Sequence, residues 1–158
     1  MSEVNWPAVG AAGATSYAFG SLSPAAAAAR LRGVDLRESG SGNPGATNAA
    51  RAMGVRVGVV VGALDVAKGY APVAYFRQYG QPCGEVAGLA ATLGHVTSPL
   101  LKGRGGKGVA TSLGAILAIE PLWAVPVLVG FGATFALTHQ VGIGSVSYTH
   151  LTLPTTCN

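Results

Sequence analysis

Two glycine-rich polar segments carry the residue types that could bind an anionic substrate. They are Ser39–Asn48, with the sequence SGSGNPGATN, and Gly103–Gly108, with the sequence GRGGKG. Glycine tolerates positive φ and lets the backbone approach a ligand closely, and the N–H groups of such loops bind phosphate. Both segments lie between stretches that are apolar enough to enter a membrane. We therefore expect a protein that handles a phosphorylated metabolite at a bilayer surface.

The first segment combines neutral hydrogen-bonding side chains with a cation. Ser41, Asn43 and Asn48 can hydrogen-bond to phosphate oxygens. Gly45 leaves room for backbone approach, and Arg51 can hold phosphate in a bidentate fork. The alternative is a cytoplasmic turn with N-cap residues, because Ser, Asn and Thr are preferred there. An N-cap role accounts for one of these polar residues but not for several of them, so the pattern favours a ligand site.

The second segment places two cations, Arg104 and Lys107, among glycines just before an apolar helix. Gly105, Gly106 and Gly108 are expected to offer exposed amides and close backbone approach to a substrate. A nucleotide-binding P-loop requires Ser or Thr after its lysine, whereas Gly108 follows Lys107 here. Nucleotide hydrolysis is therefore not supported, and phosphate binding remains. The alternative is a glycine-rich flank that is basic only because it faces the cytoplasm.

Three further ionisable residues lie within or at the end of apolar stretches. Asp65 and Lys68 are three residues apart and share one helical face, and such groups in a membrane usually line a site or form a pair. An ion pair that holds helices together and a ligand contact by Lys68 both fit this spacing. His95 ends an apolar stretch beside the second segment, where it could be a general base or a structural residue of the helix end.

The composition indicates a membrane protein. Of 158 residues, 49% are hydrophobic and only 10% are charged, against about 25% charged in ordinary soluble domains. A small soluble all-α domain is the alternative. The net charge is +4, but no basic helix carries interleaved aromatic residues, so we expect no nucleic-acid partner. Cys83 and Cys157 provide no disulfide framework, and no signal peptide is recognisable.

Apolar stretches predict an all-α fold, a polytopic transmembrane helical bundle. A spanning helix needs about 20 mainly apolar residues. Trp6–Ala29, Val57–Phe76 and Cys83–Val96 meet or approach this length, and Glu120-Pro121 divides Val109–Leu137 into two helices. We expect about five spans, forming part of a larger native bundle.

The distribution of cations orients the predicted spans. Of the ten Lys and Arg residues, five lie near the first segment and three in or next to the second, while Arg77 stands alone in the opposite connector. Positive residues accumulate on the cytoplasmic side of membrane proteins. Both glycine-rich segments are therefore expected to face the cytoplasm.

The composition changes abruptly at Val146. Residues 146–158 back-translate to a string that resembles the transposon-end adapter used in sequencing libraries, and a real β-like tail is the alternative. We therefore expect one membrane-embedded domain over residues 1–145, incomplete at its C-terminus. Segments of this kind are left out of fold reasoning.

Taken in order, three motifs resemble those of one family. They are Ser41–Asn48 with Arg51, then Asp65–Gly69, then Gly94–Thr111. These motifs are similar to those of the bacterial integral-membrane glycerol-3-phosphate acyltransferases that use acyl phosphate as donor. The similarity runs from about Ala18 to Ser145.

The resemblance implies an activity and its partners. A fatty acyl group would pass from acyl phosphate to the 1-hydroxyl of glycerol 3-phosphate, giving lysophosphatidate and phosphate for phospholipid biosynthesis. Membrane lipid is the third implied partner, the bacterial plasma (inner) membrane is the implied location, and neither cofactor nor metal is implied. Because a mixed anhydride is already activated, positioning of the reactants would contribute most, about 7–11 kcal/mol.

The resemblance also implies roles for particular residues. His95 and Ser41 would lie near the reacting centre. The residues expected to bind substrate are Ser41, Asn43, Gly45, Asn48, Arg51, Lys68, Arg104, Gly105, Gly106, Lys107, Gly108 and Ser145. Members of the family continue to a polar C-terminal segment with His and Asn that joins the site. This chain stops before that segment, so we expect it to lack part of the active site.

Two functions from other classes also fit these features. A permease for an organic phosphate would use the same basic loops, although its internal repeats are not visible in the sequence. A non-catalytic anion-binding membrane module would have the same charge distribution.

Overall fold

The computed structural model describes residues 4–138, and these form helices and connecting loops without a β-strand. The α-helices are α1 (Trp6–Gly20), α2 (Pro24–Leu31), α3 (Ala46–Met53), α4 (Val55–Phe76), α5 (Gln81–Thr97), α6 (Val109–Ile119) and α7 (Pro121–Thr138). Two short 3₁₀ turns, Arg77–Tyr79 and Pro99–Leu101, follow α4 and α5. The predicted tail and Ser145 lie outside the described residues.

Polar residues and prolines set the helix boundaries near the N-terminus. The Asn5 side chain accepts a hydrogen bond from the Ala8 N–H at 3.1 Å and caps α1. Ser23 caps α2 in the same way, with Pro24 at the first helical position, where proline loses no hydrogen bond. The prediction of one span over Trp6–Ala29 is therefore wrong, because the Ser-Pro pair starts a second helix within it.

The later helices follow the sequence more closely. The stretch predicted as Val57–Phe76 is α4, and the stretch predicted as Cys83–Val96 is α5. Glu120 separates α6 from α7, as the Glu-Pro dipeptide indicates. By length and composition, one helical segment of the described residues, Val55–Tyr79, could cross a membrane. The structure thus confirms an all-helical fold and leaves the number of spans as a prediction.

The molecule divides into two compact units, the first ending at Ile119 and the second beginning at Glu120. In the first unit, α1 packs on α5 through two glycines. A Cβ at Gly20 would overlap the backbone of Ala91, and a Cβ at Gly94 would overlap the carbonyl of Tyr17. Small residues of this kind let membrane helices approach closely. The position next to Gly94 is His95, so this crossing fixes where that side chain lies.

A second glycine pair joins α4 to α6. A Cβ at Gly69 would overlap the Thr111 carbonyl, and a Cβ at Gly114 would overlap the Val66 carbonyl. Lys68 precedes Gly69 in α4, so the crossing of α4 and α6 fixes its position. The crossing of α1 and α5 fixes the position of His95 in the same way. The two glycine pairs therefore position the buried ionisable residues.

The outward face of α4 is apolar. Its exposed large side chains are Val55, Val59, Val60, Leu64, Tyr70 and Tyr75, whereas Asp65 and Lys68 on the same helix are buried. A water-soluble helix has the opposite arrangement, with its charges outside. Charged groups that face the interior of a bundle are the rule for helices in lipid.

Candidate active site

A single buried amide organises the first glycine-rich segment, which we call the first loop (residues 39–45). Asn48 is only 1% exposed. Its Oδ1 accepts a hydrogen bond from the Ser41 N–H at 3.0 Å, and its Nδ2 donates to the Leu36 carbonyl at 2.9 Å. Gly40, at φ +55°, lies so close to Asn48 Oδ1 that a Cβ would overlap it. Asn48 therefore shapes the loop through its backbone contacts.

The first loop leaves the start of α3 without a side-chain cap. Gly45 is the N-cap residue and provides no side-chain hydrogen bond, which disfavours the interpretation of the segment as a set of capping residues. The first N–H groups of a helix have no partner within it. Ser41 and Thr47 are exposed around this end, Asn43 is half-buried, and the stem of Arg51 lies beside Gly40.

The second glycine-rich segment, here the second loop (residues 102–108), folds back on the end of α5. The Gly105 N–H donates to the Val96 carbonyl at 2.9 Å, and the Gly106 N–H donates to the His95 carbonyl at 3.1 Å. The expectation that these two amides are exposed is therefore wrong, because α5 ends with carbonyls that need donors.

Two other amides of the second loop, one on exposed Lys107 and one on buried Gly108, have no protein partner within the described residues. They stand immediately before α6, whose first turn adds further free N–H groups. The side chains of Arg104 and Lys107 are exposed at this position. The arrangement suits an anion, because a helix N-terminus favours negative charge.

Beneath the second loop lies a buried group of three ionisable side chains. Lys68 Nζ is 2.9 Å from Asp65 Oδ1 and donates a hydrogen bond to the Leu22 carbonyl at 2.7 Å. His95 Nδ1 is 3.6 Å from the same Asp65 oxygen. The exposed fractions are 2% for Asp65, 5% for Lys68 and 6% for His95. Both partners of Lys68 belong to the protein, so the structure favours the helix-holding interpretation over a direct ligand contact.

The His95 ring is enclosed between two protein groups. Its Nδ1 faces Asp65, and its Nε2 lies against Gly106, where a Cβ would overlap the ring. The second loop therefore rests on His95 through both the ring and the carbonyl. This enclosure suits a residue that positions the loop better than one that exchanges protons with a substrate.

The two loops are joined by a residue to which the sequence pattern gave no role. The Arg37 guanidinium donates one hydrogen bond to the Gly42 carbonyl of the first loop at 3.3 Å and another to the Arg104 carbonyl of the second. The charge of Arg37 was visible in the sequence, but no local spacing connects it to residue 104. The predicted phosphate-binding segments thus meet on one face of the first unit, with the ionisable group buried below.

Comparisons with known proteins identify the family of the chain. The family profile described as glycerol-3-phosphate acyltransferase matches residues 11–157. The chain belongs to this family. A glycerol-3-phosphate acyltransferase from Geobacter sulfurreducens is 42% identical over 135 residues, covering 84% of this chain and 70% of the relative. One from Thermus thermophilus is 43% identical over 137 residues, covering 84% and 67% respectively.

Two solved structures extend the family assignment to the fold. The chain is similar to the crystal structure of PlsY (YgiH), an integral membrane glycerol 3-phosphate acyltransferase, in its glycerol 3-phosphate form, with a TM-score of 0.85 and 35% identity. That match covers 90% of this chain and 73% of the solved chain. The lysophosphatidic acid form matches with a TM-score of 0.82. The predicted family is confirmed, and the chain is a membrane protein of that family.

The described residues offer no alternative metal centre. No group of three or more His, Cys, Asp or Glu side chains converges anywhere in residues 4–138.

Proposed function

We propose that the chain transfers a fatty acyl group from acyl phosphate to the 1-hydroxyl of glycerol 3-phosphate, forming lysophosphatidate and inorganic phosphate. The observation that carries this proposal is the meeting of two glycine-rich loops on one face of a membrane protein, with Arg37 and Arg51 beside the first loop and Arg104 and Lys107 in the second. Both proposed substrates bear a phosphate. The two loops and the cations in or beside them provide two places for such groups, and the family relatives bear the matching name.

The exposed residues of the two loops are proposed to contact the substrates. Arg51, in α3 after the first loop, would bind phosphate beside that loop. Arg104 and Lys107 would do so at the second loop, next to the unpaired amides of Lys107 and Gly108. Ser41 and Asn43 are accessible enough to orient the glycerol backbone or a phosphate oxygen. Guanidinium and ammonium groups form the strong, charge-assisted hydrogen bonds that such ligands require.

The buried residues are proposed to act indirectly. Asn48 holds the first loop, and Gly105, Gly106 and His95 hold the second. Lys68 ties α4 to the turn that contains Leu22. We propose that His95 affects the reacting centre chiefly through the second loop, so that a substrate phosphate oxygen would take the hydroxyl proton.

The reaction then requires the protein mainly to position the two substrates relative to each other. The 1-hydroxyl oxygen attacks the carbonyl carbon of the acyl phosphate, a new C–O ester bond forms, and the C–O bond to phosphate breaks. Holding both reactants in place can contribute about 7–11 kcal/mol. Amides and cations near the carbonyl would stabilise the developing negative charge on its oxygen.

For the membrane topology, we propose about five spans in a bacterial plasma membrane, with both loops on the cytoplasmic side. The eight cations near the two loops, among ten Lys and Arg in the chain, support this orientation. Impermeant thiol reagents would test it on single cysteine variants at Glu38 and Gln78, made in a cysteine-free chain. Labelling of Gln78→Cys from outside intact cells, without labelling of Glu38→Cys, is expected, and the reverse pattern would contradict the orientation.

We also propose that residues 146–158 derive from a sequencing adapter and that the domain comprises residues 1–145. The composition of this segment supports the proposal. Sequencing the source gene across the codon of Ser145 tests it. A gene that diverges from this chain after Ser145 is expected, whereas a gene that encodes the same 13 residues would disprove the adapter origin.

The activity is tested with the complete protein encoded by the source gene, purified into lipid nanodiscs. Palmitoyl phosphate and glycerol 3-phosphate are supplied together and separately, and inorganic phosphate and lysophosphatidate are quantified. We expect both products in equal amounts only when both substrates are present. Binding of glycerol 3-phosphate without products would favour a non-catalytic module. Transport of glycerol 3-phosphate into liposomes without products would favour a permease.

A further inference from the structure

Arg37 connects the two loops through both arms of its guanidinium. One nitrogen donates to the Gly42 carbonyl at 3.3 Å and the other to the Arg104 carbonyl, 67 residues along the chain. Each carbonyl belongs to a residue within a proposed phosphate-binding loop. A planar fork with two fixed donors can hold two acceptors in a defined relation, so Arg37 determines how far apart the loops lie.

The backbone around Arg37 is itself fixed. Its N–H donates to Asp35 Oδ1 at 2.7 Å, and the Ser39 hydroxyl donates to the Asp35 carbonyl at 2.7 Å. Gly42 lies so near the Arg37 carbonyl that a Cβ there would be 3.1 Å from its oxygen. The side chain therefore starts from a constrained turn, which lowers the entropy lost in holding the fork.

No carboxylate among the described residues neutralises the Arg37 guanidinium. The salt bridges in this part of the chain involve Asp65 with Lys68 and with His95, and none involves Arg37. Its charge therefore adds to the positive field of Arg104 and Lys107. An arginine that served only as a surface ion-pair partner would have an acidic neighbour within salt-bridge distance.

We propose that Arg37 is a positioning residue that sets the spacing of the two phosphate-binding loops. The expected kinetic effect of this proposal rests on the proposed function, whereas the expected structural effect does not. With the loops correctly spaced, the two phosphates lie at the separation that brings the hydroxyl to the acyl carbon. Without the fork, the second loop loses its attachment at the Arg104 carbonyl, so it opens more often and its spacing from the first loop varies.

Three variants test the proposal. Arg37→Gln removes the charge and the fork, whereas Arg37→Lys keeps the charge but has no planar fork. The matched control is Arg32→Gln, because Arg32 is another exposed arginine whose guanidinium donates to a carbonyl, that of Met53 at 2.9 Å, away from the second loop. Hydrogen exchange of the amides at residues 103–108 is measured by mass spectrometry, together with kcat and KM for both substrates.

We expect faster exchange of the second loop in Arg37→Gln, with kcat/KM reduced on the order of tenfold to a hundredfold. Arg37→Lys should show the same exchange defect despite its charge, and Arg32→Gln should resemble the wild type. Wild-type exchange in Arg37→Gln, or wild-type exchange and kinetics in Arg37→Lys, would overturn the proposal. Because exchange needs no turnover, a complete wild-type protein without acyltransferase activity would disprove the proposed function alone.

Discussion

The two glycine-rich loops are proposed to bind similar groups, but different contacts determine their shapes. The first loop is shaped by a side chain, because Asn48 binds the backbone of Ser41 within the loop and of Leu36 before it. The second loop is shaped by the lack of side chains, because Gly105 and Gly106 let the backbone lie directly on the end of α5. The first loop should therefore be sensitive to loss of a polar group, and the second to any added atom.

The largest effect is expected from Gly106→Ala. The new methyl group would overlap the His95 ring, which is held from its other side by Asp65. Overpacking of this kind typically costs about 1–3 kcal/mol. Because the second loop would be displaced, we expect acyl transfer to fall on the order of a hundredfold. Phosphate release and thermal unfolding in detergent measure the two effects.

The matched control for Gly106→Ala lies in the same loop. Gly103 has a positive φ of 76°, but a Cβ there would meet no atom within 4 Å. Gly103→Ala therefore introduces only backbone strain, about 1–2 kcal/mol. Equal activity losses in the two variants would show that contact with His95 does not matter. Combining Gly106→Ala with His95→Ala should restore stability relative to Gly106→Ala alone, because the methyl group then has space.

A smaller effect, on thermal stability and on the first loop, is expected from Asn48→Ala. The substitution leaves the Leu36 carbonyl and the Ser41 N–H without their partner, and an unsatisfied buried polar group costs about 1–3 kcal/mol. Lower thermal stability and faster hydrogen exchange across residues 39–45 are the expected results.

Asn43→Ala is the control for stability. Within the described residues the Asn43 side chain makes no hydrogen bond, although its carbonyl accepts one from Gly45. The thermal stability of the Asn43→Ala variant should therefore stay near that of the wild type. If Asn43→Ala destabilised the chain as much as Asn48→Ala, the special role of Asn48 in the first loop would be refuted.

The contrast between Asn43 and Asn48 also shows how far the sequence could lead. Both amides are equally plausible phosphate ligands by residue type and spacing. One becomes buried because Leu36, twelve residues earlier, supplies its acceptor, and no local pattern reveals this. The helices α4 to α7 were predictable because length, apolar composition and a Glu-Pro break are local properties.

The site was predictable to the level of segments and not to the level of individual amides. The second loop was recognised as basic and glycine-rich, but its Gly105 and Gly106 amides bond to α5. That pairing depends on how the chain reverses after Ser98. Arg37 was missed for the same reason, since its two acceptors come together only in the folded molecule.

The smallest effect on structure is expected where the two loops are alike, at their exposed cations. Lys107→Ala and Arg51→Ala should each lower turnover on the order of tenfold or more, because a charge-assisted contact to phosphate is lost. Neither should change the unfolding temperature, since both side chains are exposed. Arg56→Ala, which removes another exposed cation outside the loops, is the control. Wild-type turnover in both Lys107→Ala and Arg51→Ala would remove these residues from the site, and a loss in only one variant would remove the other residue.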